Sequence, residues 1–302
     1  MRRKARKLAE AYACFLIIAI FVASVLQLLS SGNSKCIHAA RSLVANAIGI
    51  LNRLQASTHV RIAVKMLGRK DISGAEAHLQ KALELDRKNF AAYMHLITLR
   101  LIRRDVKGTD ELLNQAKAHL PREQVSHLYT AAGDWCAFFI PMDVKLAERY
   151  YREALKLHPR NATALNNYGY ALAENGIKLD EAERLIKEAL KLEPNNPAFI
   201  DSMGWVYFKQ GKYADAVEWL EKAVKLEPND AELRYHLGMT YAELGRIDEA
   251  ISQLEEALRI NPNHEGANNA LKELKRRREE EREEETKGEV AHLNSMIGDG
   301  DA

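Results

Sequence analysis

Charged side chains are absent from residues 11–34, and the apolar part of this segment runs from Ala11 to Leu29. As a helix, these nineteen residues would be about 28 Å long, close to the hydrocarbon thickness of a bilayer. A buried core helix rarely avoids charge for so long. A cleaved signal peptide has a shorter apolar core and a small-residue cleavage site, which the following SSGNSKCIHAA lacks. The pattern therefore predicts an uncleaved transmembrane helix in residues 11–34, with residues 11–29 in the membrane.

The basic residues around this segment predict its orientation. Residues 1–10 contain five Lys or Arg and one acidic residue, whereas only Lys35 and Arg41 follow the segment closely. Because the more basic flank of a membrane helix stays in the cytoplasm, we expect a single-pass protein with a cytoplasmic N-terminus. The rest of the chain would be extracytoplasmic, which means the periplasm in a bacterium. In a eukaryotic cell, a lumenal location and a cytosolic one at an organelle's outer membrane both remain open.

Helical spacing of apolar residues continues at positions 37, 43, 44, 47, 48, 51 and 54. Residues 35–55 are therefore predicted to form an amphipathic helix that links the membrane segment to the remainder or caps it.

From residue 56 onward the hydrophobic pattern recurs at a regular step of about 34 residues, most clearly in the last two copies. Six positions recur between them: Gly204 as Gly238, Tyr207 as Tyr241, Gly211 as Gly245, Ala216 as Ala250, Ala223 as Ala257 and Pro228 as Pro262. Weaker copies precede these. The register indicates six copies, the first three degenerate, that start near residues 56, 90, 124, 162, 197 and 231.

These residues resemble the tetratricopeptide repeat, a unit of about 34 residues that forms two antiparallel helices. The resemblance covers residues 56–264 and implies an all-α solenoid, a right-handed superhelix of antiparallel helix pairs, here preceded by a single transmembrane helix. Small residues such as Ala216 and Gly204 would let the paired helices cross closely, and Pro228 would stop the second helix of its repeat. Because no repeat buries its apolar face alone, neighbouring repeats are expected to stack into one core.

Charged residues dominate the segment after the repeats. All but three of the side chains in residues 271–287 are charged. We expect residues 265–287 to form a charged helix that caps the array, with pairs such as Arg276 and Glu280 supporting it. An electrostatic docking tail is the alternative. Residues 288–302 are expected to be disordered.

Composition narrows the function classes. The 44 Lys and Arg nearly balance the 42 Asp and Glu, which argues against a nucleic-acid partner. No catalytic, nucleotide-binding or metal-binding spacing occurs among the His, Cys and Gly residues. We therefore expect no enzyme, no cofactor, no metal and no small-molecule substrate. A disulfide between Cys36 and Cys136 and two unpaired thiols are both left open.

The resemblance implies that the first helices line a concave groove that binds peptides or partner helices. Eight residues at groove positions of the last three repeats are the candidate peptide site: Asn166, Asn167, Tyr170, Asp201, Trp205, Phe208, Tyr235 and His236. Aromatic side chains there would be good contact points, because they bury much area with few rotamers to freeze. The alternative is that Trp205 and Phe208 pack against the next repeat. The mixed charges at groove positions suggest weak salt dependence.

The third repeat is four residues too long between Pro121 and Pro159, within an aromatic-rich stretch. Trp135 and Phe138 fall at core spacing, which leaves Phe139, Ile140 and Pro141 as an apolar turn between helices. Such a turn is a possible second contact site, or a packing irregularity within the array.

Together these features predict a membrane-anchored scaffold or assembly factor that binds a protein partner in its groove. The alternative is a regulatory subunit of a membrane enzyme or secretion complex that contacts its partners through the transmembrane helix.

Overall fold

The structure, a computed structural model, describes residues 21–30, 33–139 and 143–298. Within these ranges all regular secondary structure is helical, with no strand, which confirms the predicted all-α helical solenoid. The handedness of the superhelix stays a prediction. The helices are α1 (Ser34–Gly68), α2 (Ile72–Leu85), α3 (Phe90–Ile102), α4 (Val106–His119), α5 (Arg122–Asp134), α6 (Val144–Leu157), α7 (Ala162–Glu174), α8 (Leu179–Leu192), α9 (Pro197–Lys209), α10 (Tyr213–Leu226), α11 (Ala231–Glu243), α12 (Ile247–Ile260) and α13 (Glu265–Gly298).

The predicted membrane segment lies only partly within the described residues. Residues 21–30 are helical, whereas residues 11–20 and 31–32 lie outside them. None of the helices in the described part of the chain combines the length and the apolar character needed to cross a bilayer.

The chain divides into two compact units. The first comprises Met1–Arg100 and Lys107–Leu120, and the second comprises Leu101–Val106 and Pro121–Ala302.

In the first unit, α1 is a single helix of 35 residues. It runs without a break through the predicted linking segment, residues 35–55, and the first helix of the first predicted repeat. Its C-terminal half packs on α2, and Ala56 and Ala63 of α1 and Ala75 of α2 are fully buried. Alanines at the crossing allow the two helices to approach closely, which stabilises the pair.

In the second unit, helices pair as α5 with α6, α7 with α8, α9 with α10 and α11 with α12, and each pair stacks on the next. The first helix of each of the last three repeats begins at a residue whose side chain caps it. Asn161 Oδ1 accepts a hydrogen bond from the Ala164 N–H. Asn196 accepts from the Ala198 N–H in the same way, and Asp230 accepts from the Glu232 N–H. The first helix then meets its partner at a residue without a side chain. A Cβ built on Gly204 would lie 2.6 Å from Leu220 Cγ, which confirms the predicted close approach.

The turns inside the repeats require a left-handed backbone. Gly211 and its equivalent in the next repeat, Gly245, have φ of 74° and 72°. The equivalent turns of the first two repeats place Lys70 and Arg104 in the same region, with φ of 62° and 57°. These degenerate repeats therefore adopt the same turn with residues less suited to it.

The additional length of the third repeat is accommodated as helix. A π-helical turn, Trp135–Phe139, continues α5 directly, and the Asp143 N–H donates to the Cys136 carbonyl at 3.2 Å. Phe139 therefore belongs to a helical turn, which corrects the prediction of a loop there, while Ile140 and Pro141 lie outside the described residues. The wider π turn absorbs the extra residues without breaking the helix.

The C-terminal helix α13 covers the end of the array. Its Ala267 and Leu274 are buried, and its Lys275 and Arg278 pair with Glu255 and Asp248 of α12. The predicted pair of Arg276 with Glu280 is present. The helix continues to Gly298, so residues 288–298 are helical where disorder was expected. Runs of Glu, Lys and Arg are good helix formers, which explains the extension.

Candidate functional site

Trp205, at the centre of the candidate site, is only 5% exposed. Its ring stacks on Phe208 of the same helix, with ring centroids 4.5 Å apart, and on His236 of α11, at 4.0 Å. Its indole N–H donates to Glu174 Oε2 at 2.6 Å. The packing alternative therefore holds: the Trp205 ring bridges α7, α9 and α11, and it supports the surface from below.

The ammonium group of Lys209 lies next to this ring and pairs with Glu174. Lys209 Nζ lies 4.9 Å from the centre of the Trp205 ring, 3.7 Å from Glu174 Oε2 and 3.2 Å from the Glu174 carbonyl oxygen. Lys209 therefore neutralises Glu174 and closes one edge of the cluster.

His236 and Asp201 form a buried pair beneath the same face. His236 Nδ1 lies 2.9 Å from both carboxylate oxygens of Asp201, and His236 Nε2 lies 3.4 Å from Glu232 Oε1. Burial acts to lower the pKa of His236, but the charge and hydrogen bond of Asp201, with Glu232 and Glu174, raise it overall. The pair ties α9 to α11, and it is not open to a ligand.

Two tyrosines of the site, Tyr170 and Tyr235, are half-buried. Tyr170 lies 6.3 Å from the His236 ring centre on one side, and Tyr235 lies 5.7 Å from it on the other. Burial raises the pKa of Tyr170, and the nearby carboxylates of Glu174, Glu232 and Asp201 raise it further. Burial and Glu232 likewise raise the pKa of Tyr235. The tyrosines thus remain neutral beside a rim of carboxylates.

The two asparagines are engaged in side-chain hydrogen bonds. Asn166 Nδ2 donates to Asn167 Oδ1 at 3.2 Å, and Asn167 Nδ2 donates to Asp134 Oδ1 at 3.0 Å. Tyr151 Oη donates to the same Asp134 oxygen at 2.7 Å. Burial raises the pKa of Asp134, against the hydrogen bonds from Tyr151 and Asn167. Asn166 is buried and Asn167 half-buried, and this network joins α5 to α7. Asn166 Oδ1 is the one amide oxygen of the pair that is buried without a hydrogen-bond partner among the described residues.

The bulge of the third repeat is the most open apolar part of this face. Phe138 is 38% exposed and Phe139 is 68% exposed. Phe138 lies 5.7 Å from Tyr170, and Phe139 lies 4.8 Å from Trp135. The expectation that Phe138 lies in the core is wrong. The bulge and the predicted groove site are therefore neighbours on one surface.

We call this set of contacting rings the aromatic track; its Trp205 and His236 are buried beneath the more open rings. It comprises Trp135, Phe138, Phe139, Tyr170, Trp205, Phe208, Tyr235, His236 and His264. Phe208 also contacts Tyr213, with ring centres 5.4 Å apart.

His264 is not among the predicted site residues, but its ring lies 4.8 Å from Tyr235. Its Nδ1 accepts from the Ala267 N–H and its Nε2 lies 3.0 Å from Glu232. The repeat spacing could have identified His264, because it lies one repeat length after the capping residue Asp230 and takes the same capping position.

Other chemistry is not evident in the described residues. They contain no group of three or more His, Cys, Asp or Glu placed to hold a metal ion. Neither Cys36 nor Cys136 is part of a disulfide bond in the structure.

The fold and this face define the class of protein, an array of stacked helix pairs with an aromatic surface. Family models described as "Tetratricopeptide repeat" match residues 143–197 and 231–264, and one described as "TPR repeat" matches residues 204–245. The repeats in residues 143–197 and 204–264 belong to the tetratricopeptide-repeat family.

Solved structures share this fold. PilF of Pseudomonas aeruginosa is 19% identical with a TM-score of 0.52, and the match covers 74% of this chain and 99% of that chain. PilW, described as a type IV pilus biogenesis factor, is 19% identical with a TM-score of 0.54, covering 72% and 98%. A chain of the Cut9–Hcn1 assembly of the APC/C is 21% identical with a TM-score of 0.56; the match covers 77% of this chain and 45% of that one. Comparison with curated protein sequences gives no match.

Proposed function

We propose that the second unit binds a segment of a protein partner along the aromatic track. The observation that carries this proposal is the unbroken series of ring contacts from Phe138 through Tyr170 and His236 to Tyr235 and His264. These rings belong to the third, fourth and sixth repeats and to the start of the capping helix, and Trp205 of the fifth repeat stacks on His236. Such a surface suits an extended or helical peptide, because successive side chains would meet successive repeats.

Most of the binding free energy would come from Phe138 and Phe139, at the exposed end of the aromatic track. Full burial of an apolar side chain the size of Phe contributes about 1.5–3 kcal/mol, and Phe138 and Phe139 are the two most open rings of the track. Tyr170 and Tyr235 add half-buried rings with polar tips, which suits them to partner contacts. Trp205 holds these rings in place from beneath. The partner would therefore present apolar side chains to the bulge and hydrogen-bond donors to the carboxylate rim.

The proposal includes a membrane location. We infer that residues 11–29 hold the chain in a bilayer, with the N-terminus in the cytoplasm and the repeats on the extracytoplasmic side. The support is the charge-free apolar segment and the five basic residues before it. Extraction of cell membranes with alkaline carbonate tests this: the full-length chain should stay in the pellet.

Site-specific photo-crosslinking tests the binding surface. A benzophenone amino acid replaces Phe139 or Tyr235 in the full chain, and Leu226, 48% exposed at the end of α10, is the matched control. We expect the same partner to crosslink from both track positions and not from position 226. Phe139→Ser should abolish the crosslink from position 235, whereas Leu226→Ser should not. Crosslinks that are equal at all three positions would refute the proposal.

A further inference from the structure

The N-terminal half of α1 has a continuous apolar side. At about 100° per residue, nine apolar residues, at positions 37, 40, 43, 44, 47, 48, 50, 51 and 54, fall within an arc of about 160°, whereas Ala39 and Ala45 lie outside it. Ala40, near the middle of that arc, is buried and Ile37 and Val44 are half-buried, but five larger side chains are open. Leu43, Ile48, Ile50, Leu51 and Leu54 are each between 40% and 62% exposed. Isolated exposed aliphatic residues are ordinary, but five on one side of one helix are not.

All the Lys, Arg, Asp and Glu side chains in the sequence from residue 11 to residue 70 are basic. No Asp or Glu occurs between Glu10 and Asp71, whereas that stretch contains seven Lys or Arg. The segment 1–70 holds 12 basic side chains and one acidic side chain, and the segment 71–302 holds 32 basic and 41 acidic side chains. The near-neutral net charge of the chain therefore conceals a strongly basic N-terminal part. Along the open part of α1, Lys35, Arg41 and Arg53 lie outside the apolar arc.

An apolar arc whose only charged neighbours are basic matches the chemistry of an anionic lipid surface. Such a helix lies in the plane of the interface, with its apolar side among the acyl chains and its cations among the lipid phosphates. A nucleic acid would engage the cations and leave the aliphatic side chains in water. We propose that residues 35–54 of α1 form an interfacial membrane-binding helix that prefers anionic lipid. This site uses residues other than the predicted transmembrane segment and extends the proposed membrane location.

Fluorescence of single labelled positions tests the proposal in the full chain. Cys14 and Cys36 are replaced by serine, the buried Cys136 is kept, and Leu51→Cys carries an environment-sensitive dye. The matched control is Ser42→Cys, exposed on the opposite side of the same helix. The protein is added to vesicles of phosphatidylcholine alone, or of phosphatidylcholine with phosphatidylglycerol, and quenching by brominated acyl chains is measured.

With phosphatidylglycerol, we expect the dye at position 51 to shift to the blue and to be quenched several-fold more than the dye at position 42. The difference should shrink in phosphatidylcholine alone and in a variant that combines Arg41→Glu with Arg53→Glu. Flotation of the protein with the vesicles, measured in parallel, reports membrane association through either segment. Flotation with a water-like dye at position 51 would thus refute the interfacial helix and leave the anchor standing.

Three other results would overturn the proposal. A blue shift at position 51 without lipid, rising with protein concentration, would mean that a second copy covers this side. Equal quenching in neutral and anionic vesicles would remove the role of the cations. Binding of duplex DNA that the double charge reversal abolishes, with position 51 still in water, would identify a nucleic-acid site instead.

Discussion

Three glycines lie at helix crossings of the second unit, and replacing each by alanine should destabilise the chain by a different amount. A Cβ on Gly169 would lie 2.6 Å from Ile186 Cγ1 and 2.9 Å from the Ala182 carbonyl oxygen. On Gly204 it would lie 2.6 Å from Leu220 Cγ, with backbone no closer than 3.2 Å. On Gly238 its nearest neighbour would be Leu254 Cγ at 2.9 Å. Substitution by alanine should therefore be most costly at 169 and least costly at 238.

Two opposing effects determine the size of the change. Overpacking typically costs about 1–3 kcal/mol, and replacing Gly by Ala within a helix returns up to about 1 kcal/mol. A side-chain contact can be relieved by a rotamer change, but the Ala182 carbonyl belongs to α8 and moves only with that helix. We therefore expect losses of about 2–3 kcal/mol for Gly169→Ala, about 1–2 for Gly204→Ala and about 0.5–1 for Gly238→Ala.

Urea unfolding followed by far-UV circular dichroism measures these losses. The matched control is Gly49→Ala in α1, where the nearest atom to a built Cβ is Arg53 Nη1 at 3.8 Å. This variant should be as stable as the parent or slightly more stable, because only the helix propensity changes. Because a repeat array can unfold in steps, midpoints are compared under one set of conditions. A Gly204→Ala variant as stable as the parent, or a reversed order among the three, would refute the crossing geometry.

Three other sets of substitutions test the buried ring, the buried ion pair and the turns. Trp205→Ala should lower the melting temperature markedly, with a loss of about 3–5 kcal/mol in the free energy of unfolding, because the ring is buried between helices. A variant that keeps its stability and loses only partner binding would mean that Trp205 is a surface contact residue. The raised pKa of His236 adds stability that is complete below the ordinary pKa near 6.5 and is lost as pH rises through the raised value. The stability advantage of the parent over His236→Gln should thus decrease as the pH rises above about 6.5, and an advantage that grows with rising pH would contradict the assignment. Lys70→Gly and Arg104→Gly should each stabilise the chain by about 0.5–1 kcal/mol in thermal unfolding, because both positions have left-handed φ.

The repeat period predicted the helix pairs and their contact points well. Gly204 and Ala216 recur at that period, and the structure places both at the crossing of α9 and α10. This information is local, since both partners of such a contact lie within one repeat. A spacing pattern reports it directly.

Contacts between repeats were less accessible from the sequence. Whether Trp205 faces solvent depends on His236 and Glu174, which belong to the neighbouring repeats. The same holds for Asn167, whose amide is taken up by Asp134 of the repeat before it. Repeat position specifies the helix face, but burial is decided by the side chains across the boundary. The length excess of the third repeat was evident, whereas its π-helical form depends on backbone hydrogen bonding that no residue type signals.

The continuity of α1 has a consequence for how the first repeat is oriented. A flexible linker would let the first repeat turn freely relative to the start of the helix. One continuous helix from Ser34 to Gly68 instead fixes the distance between Ser34 and the first repeat, and also the rotation of that repeat about the helix axis. Residues 35–55 set a separation of about 32 Å, and each added residue rotates the repeat by about 100°. One residue inserted near Ala45 would point the first repeat in a new direction relative to residues 34–44. Seven inserted residues would lengthen the helix by about 10 Å and return the repeat to within about 20° of its original phase.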